Sequence, residues 1–305
     1  MFHRKKTINF SDPLQGRKYL LLLQEDPLSG IRFIPDLKLG PRVLGFTFDT
    51  NSLGLRGPSS VEGKGVIFGT SFATGMSVGN GCNWYELCLN NSEWLNLGLP
   101  IGLAQMEALF RHYYRGSSEI ALVLYHPNYW RILKRWSESK ESYFAAWRWE
   151  TDFWRCLRLK IRKGYRASKN LSQGKEILFK YRGFFYRIDC QYSEFNFPNN
   201  QLLVLDGLRI LERMLAGFTR VLFIRVPIKQ ELVPDSEKNE LLRSTLLSYD
   251  YGWNLTKEFL GKTNSRIEFF EPHIFDLSDY HPQDTHWHEG GNIKFADYVR
   301  GLLGK

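Results

Sequence analysis

Short apolar runs alternate with amphipathic segments along most of the chain after residue 64, and this alternation restricts the fold more than any other feature. The run Gly65–Phe68, followed by Gly69, is typical of a strand buried on both faces of a sheet. Residues 101–114 instead place apolar side chains three or four positions apart, as an amphipathic helix does. Strands that alternate with helices predict an α/β fold with a mainly parallel sheet covered on both faces.

The same reasoning assigns an element to each of these segments. The predicted strands are 65–68, 94–97, 120–124, 220–226 and 267–270, and the predicted helices are 83–89, 101–114, 202–215, 236–247 and 289–303. The first 60 residues combine short apolar runs with several prolines, which predicts loops and short strands that wrap the domain formed by 61–305.

Residues 131–200 interrupt the alternation, and we expect a helical insertion there, between the third and fourth core strands. Its part 131–169 contains twelve Lys or Arg against four Asp or Glu, which gives +8 of the chain's net charge of +9. Aromatic and aliphatic side chains fall roughly on one face of this part: Tyr143, Trp147, Trp154, Leu157 and Ile161. A solvated helical lid is the simplest interpretation. A surface that contacts a membrane is the alternative, and nucleic acid is the less favoured partner.

The sequence offers little evidence for a membrane span, an oxidising compartment or a zinc site. No apolar run approaches the roughly 18 to 20 residues that cross a bilayer, and the basic start is not followed by an apolar stretch. The four cysteines form no CxxC pair and have no zinc-finger spacing. We therefore expect a cytoplasmic protein, peripheral to a membrane if 131–169 binds one.

Residues suited to acyl transfer follow three of the predicted strands. In open α/β sheets, ligands bind at the carboxyl ends of the strands. Ser71 follows the first strand after Gly69-Thr70, where a helix start would supply free backbone N–H groups to an oxyanion. Gly98 follows the second strand, and Asn128 follows the third and carries an amide donor. Each residue alone also has a structural explanation, as a helix cap, a loop glycine or a turn residue.

An Asp-x-His pair precedes the last predicted helix, in the segment Asp284-Thr-His286-Trp-His288. A serine nucleophile needs a base to take its proton, and the base needs an acceptor to fix its tautomer. His286 and Asp284 can supply both functions. The alternative, in which Asp284, His286 and His288 bind a metal ion, lacks a further ligand cluster, so we expect neither a metal nor another cofactor.

Taken together and in order, these segments resemble the conserved blocks of the SGNH (GDSL esterase/lipase) superfamily. Residues 69–75 (GTSFATG) are similar to its first block, 96–98 (NLG) to its second, Pro127-Asn128 to its third and 284–287 (DTHW) to its last. Upstream, residues 49–57 (DTNSLGLRG) resemble a segment that precedes the first block in many bacterial members. The chain departs from the family at Thr70, where relatives usually have Asp, and at Tyr129 and His288.

The resemblance implies a flavodoxin-like three-layer α/β/α sandwich and a serine esterase or O-acyltransferase. Ser71 would be the nucleophile, His286 the base and Asp284 its partner, and the oxyanion would be held by Gly98, Asn128 and the N–H of Ser71. Bacterial members often remove or transfer acetyl groups on carbohydrates, including polysaccharides, so we expect a carbohydrate ester as substrate. Side chains near the site that would contact it are Thr70, Trp287 and His288. Trp84, Tyr129 and Trp130 would add aromatic surface that suits a sugar ring or, equally, core packing.

Overall fold

A computed structural model of the chain describes residues 23–26, 28, 30–40, 46–90, 92–99, 103–116, 119–126, 176–189, 201–282 and 284–304. The strands within them are β1 Leu23–Asp26, β2 Gly30–Phe33, β3 Lys38–Leu39, β4 Phe48–Asp49, β5 Gly65–Phe68, β6 Trp94–Asn96, β7 Ile120–Tyr125, β8 Glu176–Tyr181, β9 Phe184–Asp189, β10 Arg220–Arg225 and β11 Ile267–Phe270. The helices are α1 Ser71–Thr74, α2 Trp84–Cys88, α3 Leu103–Tyr113, α4 Gln201–Leu215, α5 Glu240–Thr263 and α6 Glu289–Leu303.

Five of the described strands form a parallel sheet in the order β6-β5-β7-β10-β11. In terms of the core strands alone, this is the order 2-1-3-4-5 found in flavodoxin-like doubly wound sheets. The chain reverses its direction of progress between β5 and β7, and in this class of sheet ligands bind beyond the carboxyl ends of the two strands at that point. Ser71 follows β5, and His126 follows β7.

Successive side chains of each strand enter two separate apolar cores, one on each face of the sheet. On β7, Ala121 and Val123 face the core filled by α3, α4 and α5, whereas Leu122 and Leu124 face the core filled by α1, α2 and α6. Helices therefore cover both faces of the described sheet, as the sequence predicts. Both cores contain many fully buried aromatic rings, which fixes the helices against the strands.

The N-terminal segment contributes to the first of these cores. Its described strands pair as two small antiparallel ladders, β1 with β2 and β3 with β4. Phe33 and Phe48 are almost wholly buried and meet edge to face with ring centroids 5.2 Å apart. The segment is thus packed into the domain rather than appended to it.

The described part of the 131–200 insertion is a β-hairpin, in which β8 pairs with β9. Over 176–189 the prediction of a helical insertion is therefore wrong, because alternating apolar side chains of β9, Tyr186 and Ile188, are buried on one face with Val233, Leu242 and Leu277. The basic segment 131–169 lies outside the described residues.

The predicted elements agree with the observed ones to within a few residues, apart from α5. That helix runs to Thr263 instead of residue 247 and starts at Glu240, where the side chain of Asn239 accepts a hydrogen bond from the N–H of Leu242 at 2.8 Å. None of the helices in the described ranges is long and apolar enough to cross a membrane.

Candidate active site

The turn after β5 places Ser71 at the carboxyl edge of the sheet. Gly69 lies so close to α1 and β7 that a Cβ atom added to it would be 2.6 Å from the Cβ of Ala73. Only glycine allows the strand to turn this tightly into the helix. Ser71 is the first residue of α1 and is half-buried, and its side chain forms no hydrogen bond with any described residue.

Thr70, which precedes Ser71, is almost completely buried. Its hydroxyl does not cap α1 and has no hydrogen-bond partner among the described residues. The structure thus places Thr70 beside the nucleophile candidate, as expected, but with only 4% of its surface exposed to a ligand.

Gly98 lies against the same turn, but its N–H group is already engaged. It donates to Asn96 Oδ1 at 2.8 Å, and its carbonyl accepts from the hydroxyl of Thr74 at 2.6 Å. A Cβ at this position would be 2.7 Å from the backbone of Ala73, so a glycine is required here by close packing. The expectation that Gly98 presents an open oxyanion donor is not met, because Asn96 shares its loop and captures that N–H.

Asp284 and His286 form the pair that the sequence predicts. His286 Nδ1 donates to Asp284 Oδ1 at 2.8 Å, which leaves Nε2 as the proton acceptor of the neutral ring. Asp284 is buried, and burial alone would raise its pKa. The neighbouring His286, His281 and Ser77 outweigh that effect and hold the pKa of Asp284 below its ordinary value, so the carboxyl group is ionised near neutral pH.

The ring of Phe72, the residue after Ser71, connects the nucleophile turn to the histidines. Its centroid lies 5.1 Å from that of His286 and 5.0 Å from that of His126, at the end of β7. Burial lowers the pKa of His126 to about 3, so this ring is neutral. No hydrogen bond joins Ser71 to His286 among the described residues. Catalytic hydrogen bonds of this kind often form only when substrate is bound.

The structure places Trp287 in the core and His288 at the start of α6, on the border of a cleft. Trp287 is 2% exposed and packs against Phe72, Phe275 and Phe295, so it belongs to the core. His288 caps the start of α6: its Nδ1 accepts from the N–H of Gly290 at 2.8 Å, and its Nε2 faces the carbonyl of Ser278.

In the metal alternative His288 would be one of three ligands, and in this structure both of its ring nitrogens contact the backbone. Within the described ranges, no three His, Cys, Asp or Glu side chains converge as metal ligands. Trp84 is also a core residue, fully buried against Phe295. Asn128, Tyr129 and Trp130 lie outside the described residues.

No sequence pattern indicates the polar contacts that surround the Asp284–His286 loop. Ser77 donates to Asp284 Oδ2 at 3.0 Å, and His281 Nε2 donates to the carbonyl of Ser77 at 3.2 Å. The ammonium group of Lys229, 2% exposed, donates to the carbonyl groups of His281 and Pro282 at 2.5 and 3.2 Å. These donors come from segments far apart in sequence: Ser77 lies six residues after Ser71, His281 lies five residues before His286, and Lys229 is near no predicted site residue.

A cleft of about 760 Å³ opens beside this loop, on the side of Ser77 and His281 rather than that of Ser71. Four segments border it: the N-terminal segment at Phe46, the loop at Asn80, the β8–β9 hairpin at Phe184 and the start of α6 at His288. Ser71 and His286 are not among its lining residues. The phenyl ring of Phe184 is 62% exposed at this position.

Comparisons of the chain with protein-family models, with curated proteins and with solved structures found no match.

Proposed function

We propose that this chain is an SGNH-type serine esterase or O-acyltransferase that acts through an acyl-Ser71 intermediate. The observation that supports this most is the pair formed by buried, ionised Asp284 and His286, with Nδ1 and Oδ1 2.8 Å apart. The imidazole of this pair packs on Phe72, directly beside Ser71. The 2-1-3-4-5 strand order also agrees with the flavodoxin-like sandwich that the resemblance implies.

In the proposed reaction, His286 Nε2 takes the proton of Ser71 as its Oγ attacks the ester carbonyl carbon. Asp284 stabilises the resulting imidazolium, which then gives the proton to the departing alkoxide and leaves acyl-Ser71. Water or an acceptor hydroxyl next loses its proton to His286 and attacks the acyl group. The products are a carboxylic acid or a new ester, and Ser71 regains its proton.

The oxyanion of each tetrahedral intermediate would be held by the N–H of Ser71 and the amide of Asn128. Gly98 would join them only if the side chain of Asn96 rotated away from its N–H, because that N–H now donates to Asn96 Oδ1. Asn96 also donates to the carbonyl of Ala73 at 2.9 Å, so such a rotation would break two hydrogen bonds.

The substrate class that we propose is an acetylated carbohydrate. The resemblance to bacterial sugar-ester enzymes supports this choice. The cleft beside the Asp284–His286 loop is not lined by Ser71, and its volume suits the part of a carbohydrate away from the reacting ester. Its exposed Phe184 ring could pack on the apolar face of a sugar, and Asn80 adds a polar side chain to its lining. Trp84 and Trp287 are buried in the core, so neither ring is available to contact a sugar.

An assay with p-nitrophenyl esters tests the proposal. The wild-type protein should hydrolyse the acetate, and Ser71→Ala should lower kcat by a factor on the order of 10⁶ while leaving the thermal unfolding curve unchanged. Activity should fall steeply from acetate to octanoate, and an oligosaccharide should accept the acetyl group. Unchanged turnover in Ser71→Ala would refute the nucleophile, and a preference for octanoate would refute the carbohydrate substrate.

A further inference from the structure

The hydroxyl of Ser77 binds the oxygen of Asp284 that His286 does not use. Ser77 Oγ donates to Oδ2 at 3.0 Å, and His286 Nδ1 donates to Oδ1 at 2.8 Å. Both residues of the Ser77–Asp284 contact are more than nine-tenths buried, and they are 207 residues apart in the chain. A carboxylate with a donor on each oxygen resists rotation, because turning it breaks a charge-assisted hydrogen bond.

The backbone of Ser77 is in a conformation that serine rarely adopts. Its φ angle is 75°, in the left-handed region where a Cβ atom is crowded and glycine is the favoured residue. Such a conformation persists only when surrounding contacts hold it, and it tends to occur at functional sites. A serine here implies that the side chain contributes something that glycine would not.

Buried donors from two other segments hold the turn around Ser77. The guanidinium group of Arg56, 1% exposed, donates to the carbonyl groups of Gly75 and Val78, the second at 2.6 Å. His281 Nε2 donates to the carbonyl of Ser77 itself at 3.2 Å. Arg56 belongs to the upstream segment 49–57, so that segment supports the turn carrying Ser77.

We infer that Ser77 is a positioning residue: its hydroxyl holds the Asp284 carboxylate so that Oδ1 stays directed at His286 Nδ1. The inference rests on the proposed function, in which His286 must remain in the tautomer and orientation that accept the proton of Ser71. Ser77 has no contact with the reacting atoms in this scheme and acts through Asp284 alone.

Ser77→Gly tests the inference, because it removes the hydroxyl together with the Cβ atom, and glycine adopts the same φ without strain. We expect kcat for p-nitrophenyl acetate to fall on the order of ten- to a hundred-fold with KM nearly unchanged, as for the loss of a hydrogen bond to a charged group. The melting temperature should fall because Asp284 Oδ2 loses a buried donor, while the relief of backbone strain at residue 77 offsets part of that loss. Ser77→Ala should lose the same activity but melt lower than Ser77→Gly, since its Cβ keeps the strain.

The matched control is Thr256→Val, which removes a buried hydroxyl that donates to the carbonyl of Gly252 at 2.7 Å within α5, and its kcat should stay within about two-fold of wild type. A second readout needs no activity: the proton NMR signal of His286 Nδ1–H should exchange faster with solvent in Ser77→Gly. Wild-type kcat and an unchanged signal in Ser77→Gly would overturn the inference. Absence of Ser71-dependent turnover in the wild type would instead refute the proposed function, and the NMR comparison would still decide the role of Ser77.

Discussion

The turn that carries Ser71 and the loop that carries Asp284 and His286 are held by different kinds of contact. Around Ser71 the chain is fixed mainly by close packing, with Gly69 and Gly98 both pressed against Ala73, and the side chains of Asn96 and Trp84 donate to carbonyl groups of α1. The side chains of Thr70 and Ser71 contribute no hydrogen bond to a described residue.

The loop, in contrast, is held by polar donors from distant segments. Ser77 binds its carboxylate, Lys229 binds two of its carbonyl groups, and the N–H of Arg187 in β9 donates to the carbonyl of Pro282 at 2.9 Å. Close apolar packing changes little when one polar group is replaced, whereas a buried polar network loses a partner at each substitution. We therefore expect the loop to be the more sensitive of the two regions to single polar substitutions.

Within the loop, the largest effect should come from Asp284→Asn, which keeps the size of the side chain and removes its charge. The amide would no longer hold His286 in the required tautomer, and kcat should fall by a factor on the order of 10⁴. Steady-state kinetics with p-nitrophenyl acetate measure this loss. A fall of less than ten-fold would mean that another acceptor orients His286, and the loop would then be less dependent on this one carboxylate than the structure implies.

A smaller effect, on stability, should follow from Arg56→Met. The variant leaves the carbonyl groups of Gly75 and Val78 without their buried donor and removes a cation 4.4 Å from the centroid of Phe48. We expect the free energy of unfolding to drop by roughly 3 kcal/mol, measured by urea denaturation.

Arg56→Lys is the matched control, since it keeps the charge but cannot bind two carbonyl groups as a fork, and its loss should be intermediate. If Arg56→Met unfolds at the same urea concentration as wild type, the support of the Ser77 turn by the upstream segment would be disproved.

The smallest effect concerns the pH dependence of stability. Burial lowers the pKa of Lys229 from 10.5 to about 7, although the Asp284 carboxylate acts in the opposite direction. Between these two values the unfolded chain retains a proton that the folded lysine has released. The free energy of unfolding should therefore rise with pH in this window by up to about 1.4 kcal/mol per pH unit from this group, and fall again toward pH 7.

Lys229→Met has no titratable group at this position. The difference in unfolding free energy between wild type and variant therefore isolates the contribution of Lys229 to the pH dependence. Urea denaturation at several pH values from 7 to 9 measures it. If the unfolding free energies of the two proteins changed with pH in parallel, burial would not disfavour the charged form of Lys229. The loop would then be held by a lysine with an ordinary pKa.

The sequence predicted the turn that carries Ser71 and the sheet well, because local patterns specify them. A wholly apolar run of four residues followed by glycine is typical of a buried strand that ends in a turn. The structure has β5 at the predicted residues. The pair Asp284 and His286 could also be predicted, since two residues on one short loop meet without help from the rest of the fold.

The parts that the sequence did not predict depend on contacts between distant segments. Ser77 and Lys229 have no local pattern that separates them from ordinary surface residues, and only the folded chain brings them to the loop. Arg56 lies in the segment 49–57 that the resemblance singled out, but the sequence does not reveal that it binds the turn carrying Ser77. The end of α5 was misjudged for a related reason: Tyr249 and Trp253 are buried by the sheet, and that burial carries the helix through a polar stretch with Gly252. Gly98 was predicted to donate its N–H to the oxyanion. The sequence does not reveal that this N–H instead donates to the side chain of Asn96.

The β8–β9 hairpin has a consequence for anyone who wishes to shorten this protein. Residues 131–200 look dispensable in the sequence, because they interrupt an otherwise regular pattern. Yet the hairpin within them supplies Tyr186 and Ile188 to an apolar cluster with Val233, Leu242 and Leu277, and its backbone holds the carbonyl of Pro282. A shortened protein would have to keep residues 176–189, so the deletion would have to end before Glu176. Otherwise the loop of Asp284 and His286 would lose the backbone contact that the hairpin makes with Pro282.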